Sequence, residues 1–189
     1  MYTFTQPWFD LSELKKHVHT FLQPLLDKQQ PIRLLEIGSY EGMSACHFSD
    51  KYLLHPQSEL ICVDPFDLGD VCTPLTSQTK TLCLANIAAS SHASQVQMKQ
   101  MYSSDFFKEY QGPMFDFIYI DGSHLEEDIK LDMTEADKIL EQGGIMWMDD
   151  YLGGHDGKNK RAMDSVISTF GSRYSVVHQG YQIALRKVS

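Results

Sequence analysis

Four short apolar runs in this chain close on a carboxylate or on a glycine turn beside one. They are Leu34-Leu35-Glu36-Ile37-Gly38, Leu60-Ile61-Cys62-Val63-Asp64, Phe117-Ile118-Tyr119-Ile120-Asp121 and Ile145-Met146-Trp147-Met148-Asp149-Asp150. Longer amphipathic stretches bounded by turn residues lie between them. Few architectures suit that alternation, because strands that are apolar on both faces must be covered on both faces, and the intervening helices are what is available to cover them. The pattern predicts an α/β fold on a mostly parallel sheet. It also gathers the acids at the carboxyl ends of the strands, where open sheets of this kind bind ligands.

Asp10 and Ser12 are candidate caps for a first helix reaching about Lys28, with Leu11, Leu14, Val18, Leu22, Leu25 and Leu26 near the helical period and Pro24 as a kink or boundary. A strand from Ile32 to Ile37 turns through Gly38 to Gly42 into a helix ending near Leu54. A strand from Leu60 to Asp64 leads into a loop from Phe66 to Thr76. Helical segments follow at Thr81 to Ser90 and Asp105 to Tyr110, separated by a strand from Val96 to Lys99. The strand Phe115 to Ile120 precedes a helix from Leu125 to Leu140, for which Ser123 and Glu126 have capping-box spacing. Gly143-Gly144 is read as ending that helix ahead of a strand from Ile145 to Met148. A loop from Gly153 to Lys160 and a helix from Arg161 to Phe170 come next, and Gln179-Gly180 splits the tail (Tyr174 to His178, Tyr181 to Leu185) into a hairpin. There is no repeat and no linker composition, so residues 1–189 are expected to form one domain, with 1–30 a helical extension and 31–189 the core.

Composition narrows the partners. Asp and Glu number 25 against 16 Lys and Arg, a net charge of −9, which disfavours a nucleic-acid backbone or an anionic membrane surface. Cys46, Cys62, Cys72 and Cys83 form no CxxC pair and read as reduced thiols. The start of the chain has no basic segment followed by an apolar one, and no run is long enough to span a bilayer, so a cytoplasmic location is expected. A small-molecule partner remains.

The turn Gly38-Ser39-Tyr40-Glu41-Gly42 allows close approach of backbone to a ligand. A dinucleotide fingerprint would need glycine where Tyr40 stands, which counts against a pyrophosphate. Asp64 can accept hydrogen bonds from ribose hydroxyls, and with Glu36 on the neighbouring strand and no basic residue in the turn, the pattern favours S-adenosylmethionine (SAM) over a polyphosphate. Singly, Glu36 and Asp64 can also be turn formers. At the next strand ends, Asp121, Asp149 and Asp150 can converge, since adjacent strands lie about 4.8 Å apart. Three facing carboxylates repel unless a cation sits among them, and all-oxygen donors suit Mg²⁺, Mn²⁺ or Ca²⁺. The alternative is that these aspartates hold turns.

LLEIGSYEGMSA, ICVDPF, FDFIYIDGSH and GGIMWMDDY, in that order, resemble the short class I SAM-dependent O-methyltransferases related to macrolide-sugar and aminocoumarin-sugar O-methyltransferases, and more distantly catechol O-methyltransferase. The resemblance covers about residues 32 to 151. It implies a Rossmann-like seven-stranded sheet of order 3-2-1-4-5-7-6, the last strand antiparallel, with helices on both faces. It further implies that Glu36 and the turn residues Gly38, Ser39, Tyr40 and Gly42 line the methionine part of SAM, that Asp64 meets the ribose, and that Tyr102 and Ser103 lie by the adenine. Asp121 would adjoin the cofactor and, with Asp149 and Asp150, hold a divalent ion that grips two neighbouring oxygens of a sugar diol or catechol. Such relatives are often dimers, so a homodimer is one expectation.

His124, or Asp121 itself, is the candidate general base. His155 is a candidate substrate contact, and His17, His19 and His178 show no partner pattern. Lys158, Lys160 and Arg161 are either a solvated helix start or a handle for an acidic substrate group. Trp8, Phe9 and Tyr151 are candidate substrate walls, with Trp147 assigned to the core. The expected activity is SAM-dependent O-methylation of a small hydroxyl compound. The alternatives are a non-catalytic SAM-binding module and an NAD-linked oxidoreductase.

Overall fold

The computed structural model describes residues 1–67, 78–153 and 155–189. Cys72, most of the 66–76 loop and the side chain of His155 lie outside that description. The described elements in chain order are α1 (Trp8–Leu11), α2 (Glu13–Leu26), β1 (Arg33–Ile37), α3 (Met43–Tyr52), β2 (Glu59–Val63), α4 (Thr79–Ala88), β3 (Val96–Lys99), α5 (Ser103–Glu109), β4 (Phe115–Ile120), α6 (Glu126–Ile139), β5 (Leu140–Met148), α7 (Lys158–Phe170), β6 (Tyr174–Gln179) and β7 (Ile183–Lys187). The seven strands form one sheet of order β3-β2-β1-β4-β5-β7-β6. β1 to β5 run parallel, and β7 is antiparallel to both β5 and β6. This is the Rossmann-like methyltransferase architecture that the sequence predicts.

Strand side chains alternate between faces, and the core divides accordingly. Leu35, Ile37, Ile118, Met146 and Leu185 face α6 and α7 through Ile129, Met133, Ala162 and Val166. Leu34, Cys62, Phe117, Tyr119 and Trp147 face the other layer, where Leu14, Val18 and Leu22 of α2 pack with Cys46 and Phe48 of α3. Trp147 is fully buried, as expected, and so is Tyr151, which joins the core and donates from its hydroxyl to Asp164 Oδ1 (2.9 Å). Tyr151 is therefore not a substrate wall. Among the described residues no helix is long and apolar enough to cross a membrane, and Cys46, Cys62 and Cys83 are buried free thiols.

Several boundaries differ from the sequence reading for local reasons. Ser12, not Asp10, caps the long N-terminal helix, its Oγ accepting from Lys15 N–H at 3.1 Å, and α2 runs on through Pro24 to Leu26. The Ser123/Glu126 capping box does not form. Leu125 is the N-cap, without a side-chain cap bond, while Ser123 Oγ accepts from Leu125 N–H at 3.1 Å in a tighter turn of its own. Gly143-Gly144 does not end the helix either. β5 already begins at Leu140, Gly143 lies inside it at φ +84°, and its register with β4 shifts between Phe115 and Phe117. α7 begins three residues earlier than read, at Lys158.

Candidate active site

The turn after β1 is held from both sides. Gly38 N–H bonds to the Val63 carbonyl (2.9 Å), and Asp121 N–H bonds to the Ile37 carbonyl (2.8 Å). Gly38 sits at φ +86°, and a Cβ there would lie 2.0 Å from the Asp121 carbonyl oxygen, so only glycine fits. Asp64 closes the turn from β2: its Oδ2 accepts from Ser39 N–H (2.8 Å) and Tyr40 N–H (3.0 Å), and its Oδ1 accepts from Phe66 N–H (2.8 Å). A carboxylate offers about four lone-pair sites, so three are taken by backbone. Asp64 can thus accept one ligand hydroxyl rather than the pair the sequence suggests.

Glu36 lies beneath the turn, fully buried, receiving Ser39 Oγ–H at 2.5 Å and Ser44 Oγ–H. Burial pushes its carboxyl up to about 7, with the two serines opposing. A raised native pKa means that the folded state binds the proton more tightly. The associated stability is fully present below the unfolded value near 4.5 and is lost as pH rises through about 7. Glu36→Gln should therefore flatten that part of the stability-versus-pH curve, with the variant gaining on the parent between about pH 4.5 and 7 and keeping that gain above it. Urea unfolding across that range checks this, and parallel curves would refute it.

A cavity of about 370 Å³ opens beside the turn. Gly38, Tyr40, Asp64, Ser103 and Asp121 are on its wall, while Glu36, Ser39 and Gly42 are not. Asp67, Asp128 and Asp132 add three acids that the sequence reading missed, and no Lys, Arg or His joins them among the described residues. Asp128 and Asp132 are one helical turn apart on α6, a spacing that could have signalled a shared face. Asp132 is buried, which pushes its carboxyl up to about 7 against the Ser103 hydroxyl bond that lowers it.

A second cavity, of about 670 Å³, meets the first at Tyr40, Asp121 and Gly122. Trp8 and Phe9 of the N-terminal segment form part of its wall, as the sequence suggests, and the Tyr40 and Trp8 rings meet at a tilt of 33° with centroids 4.9 Å apart. Its floor is the predicted acid cluster: Asp121, Asp149 and Asp150 each present an oxygen within 4.8 Å of the others. β5 ends at Met148, and Asp150 adopts φ +52°, which lets consecutive aspartates face one site.

Two tyrosines invisible to the sequence reading organise these acids. Tyr119 OH lies 2.8 Å from Asp121 Oδ2 and 2.5 Å from Asp149 Oδ2. Tyr119 and Asp121 are two apart at a strand end and so share a face, which is the one available signal. Tyr181 OH donates to Asp150 Oδ1 (2.5 Å), while His124 Nε2 lies 2.6 Å from Asp150 Oδ2. His178 is likewise partnered, 2.9 Å from Glu13 Oε2 and stacked on Trp147, rather than a surface residue.

A phenol has one proton, so Tyr119 cannot satisfy two ionised carboxylates at once. Asp121 is surrounded by protein yet open to solvent through the cleft. Its carboxyl is pushed well above the usual range, first by burial and then by the Asp149 charge, and solvent reaching the cleft weakens both effects. Asp149 is also raised, chiefly by burial. The donor set is all oxygen, mutually repelling and short of protons, and it fits a hard divalent cation.

The methyltransferase-domain family matches residues 35–151, more than half of the chain, and the chain belongs to that family. Comparison with curated protein sequences gives no match. Among solved structures, the chain is similar to the O-methyltransferase TomG of Streptomyces achromogenes, involved in tomaymycin synthesis and solved with SAM (20% identity, 96% of this chain and 85% of that one, TM-score 0.67). It is also similar to a TDP-rhamnose 3′-O-methyltransferase of calicheamicin biosynthesis (14%, 96% and 83%, TM-score 0.61). A candidate rRNA methylase from Clostridium thermocellum aligns as well (11%, 95% and 98%, TM-score 0.69), so the fold alone leaves the acceptor open.

Proposed function

We propose that this protein transfers the methyl group of SAM to a hydroxyl of a small molecule that carries a second oxygen beside it, a sugar diol or a catechol, with Mg²⁺ held by Asp121, Asp149 and Asp150. The observation that carries the reading is the junction of two cavities at Tyr40, Asp121 and Gly122, one lined by acids with no basic side chain among the described residues, the other floored by three carboxylates. SAM supplies a methyl carbon activated by a sulfonium, a cation suited to the acidic first cavity. The SAM bound by one structural neighbour and the sugar-nucleotide substrate of another support the same assignment. An NAD-linked reaction is disfavoured, because the Ser39 and Tyr40 N–H groups that could bind a pyrophosphate are spent on Asp64.

In this reading the rigid turn fixes the donor and the acid cluster fixes the acceptor, so the hydroxyl oxygen meets the methyl carbon in line with the departing sulfur. The carbon–oxygen bond forms as the carbon–sulfur bond breaks, and the sulfur leaves with the electron pair. The proton passes to His124, oriented by Asp150, or to Asp121. A divalent cation at the three aspartates would offset their repulsion and lower the pKa of the acceptor hydroxyl.

Turnover on a panel of diols and catechols should appear only with added Mg²⁺ or Mn²⁺ and vanish with EDTA, while calorimetric binding of S-adenosylhomocysteine persists in both. Binding without turnover in either condition would identify a non-catalytic SAM module. Full turnover in EDTA would remove the cation from the mechanism.

A further inference from the structure

Lys158, Lys160 and Arg161 are adjacent in sequence but part company in the structure. Lys160 pairs with Asp164 and sits 5.0 Å from the centroid of the Tyr151 ring, and Arg161 donates to the Asp156 carbonyl. Lys158, the first residue of α7, is on the wall of the second cavity. The other ammonium on that wall is Lys16, from α2.

The carboxylates of the same wall are all engaged. Glu13 receives Gln182 N–H (2.8 Å) and meets His178, Tyr119 lies against Asp121 and Asp149, and Tyr181 and His124 hold Asp150. Neither lysine has an ion pair or a side-chain hydrogen bond with a described residue. Lysines present only to offset the acidic floor would be paired with it. Two ammonium groups without partners, contributed to one cavity by separate helices, instead suit an anion brought by the ligand.

We propose that the methyl acceptor carries a compact oxyanion, a carboxylate or a phosphate monoester, held by Lys16 and Lys158 while its hydroxyl rests at the aspartate cluster. Exposed Trp8, in contact with the Tyr40 ring, offers an apolar surface to the body of the molecule between these ends. The inference rests on reading this cavity as the acceptor site of a methyltransferase, and it divides possible acceptors by charge, which that reading does not.

The test uses matched pairs: protocatechuate against its primary amide, and glucose 6-phosphate against glucose, titrated by calorimetry into the full protein with Mg²⁺, with and without S-adenosylhomocysteine. The anionic member of at least one pair should bind about tenfold more tightly, as expected for charge-assisted hydrogen bonds. That preference should shrink with added salt. In the Lys16→Gln/Lys158→Gln variant it should vanish, with affinity for the neutral members and for S-adenosylhomocysteine unchanged. Whichever pair discriminates identifies the oxyanion. Equal affinities within both pairs, or a preference that survives in the double variant, would overturn the proposal. Failure of S-adenosylhomocysteine to bind would instead strike the methyltransferase reading, while the lysine-dependent preference is still decided by the titrations without it.

Discussion

Gly38→Ala should abolish SAM binding and destabilise the fold, more than any other single methyl added to the turn. Two costs combine. A non-glycine residue in the left-handed region costs about 1–2 kcal/mol, and at φ +86° the new Cβ would sit 2.0 Å from a backbone carbonyl oxygen, which cannot swing away as a side-chain tip can. Relieving that overlap means moving β1 away from the start of the β4–α6 connection, at a further cost of about 1–3 kcal/mol. For a domain of this size a total near 3 kcal/mol lowers Tm by roughly 10 °C. Because the displaced backbone is shared by both cavities, affinity for S-adenosylhomocysteine should fall at least about 100-fold, in line with a misplacement on the ångström scale. Gly42→Ala is the internal control. Its backbone is also left-handed, but its nearest contact is Cys83 Sγ at 3.1 Å, so a smaller loss is expected. Differential scanning fluorimetry and calorimetry read both, and a Gly38→Ala protein with parental Tm and affinity would refute the account of the turn.

Asp121→Asn should separate activity from stability. The amide keeps the shape of the side chain and can still meet Tyr119, but it removes a charge from three crowded carboxylates. A loss of about 10²–10³ in kcat/KM is expected, the scale for deleting one preorganised charge at a reacting centre, and Mn²⁺ binding followed by electron paramagnetic resonance should weaken more than about tenfold. Stability should move the other way. Because the native carboxyl of Asp121 is raised by burial and by Asp149, its ionisation opposes folding, and the stability tied to its proton is lost as pH rises through that native value. In EDTA at pH 8 the variant should therefore melt higher than the parent. An inactive protein that also melts lower would indicate that Asp121 is a structural prop, and an active one would move the chemistry elsewhere.

The sheet was legible because its signals are local and redundant. Each of the four central strands, β2, β1, β4 and β5, carries an apolar run with its own stop, and Gly38, Asp64, Asp121 and the pair Asp149-Asp150 mark their ends. What was missed depends on distance in sequence. Ser123 and Glu126 have the right spacing for a capping box, yet Ser123 is drawn into a turn two residues earlier. The partners of the acids, Tyr119 and Tyr181, come from strand and hairpin positions whose alternation reads as ordinary core or surface. Glu36 was expected on the cofactor wall, but the hydroxyls of Ser39 and Ser44 hold it one layer below, a competition that spacing cannot reveal.

Glu13 ties the first long helix to the last hairpin through His178 and the Gln182 backbone, and Gln182 Oε1 in turn accepts from Leu14 N–H (2.6 Å) and from Trp147 Nε1–H (2.9 Å). The second cavity thus borrows part of its wall from α1, α2 and the β6–β7 hairpin, whereas the Gly38 turn and Asp64 belong to the ends of β1 and β2. Residues such as Leu11 and Lys16 line the second cavity and not the first, so they can be exchanged without touching Gly38 or Asp64. Acceptor choice can accordingly diverge between related sequences, or be redesigned, while the methyl-donor half stays as it is.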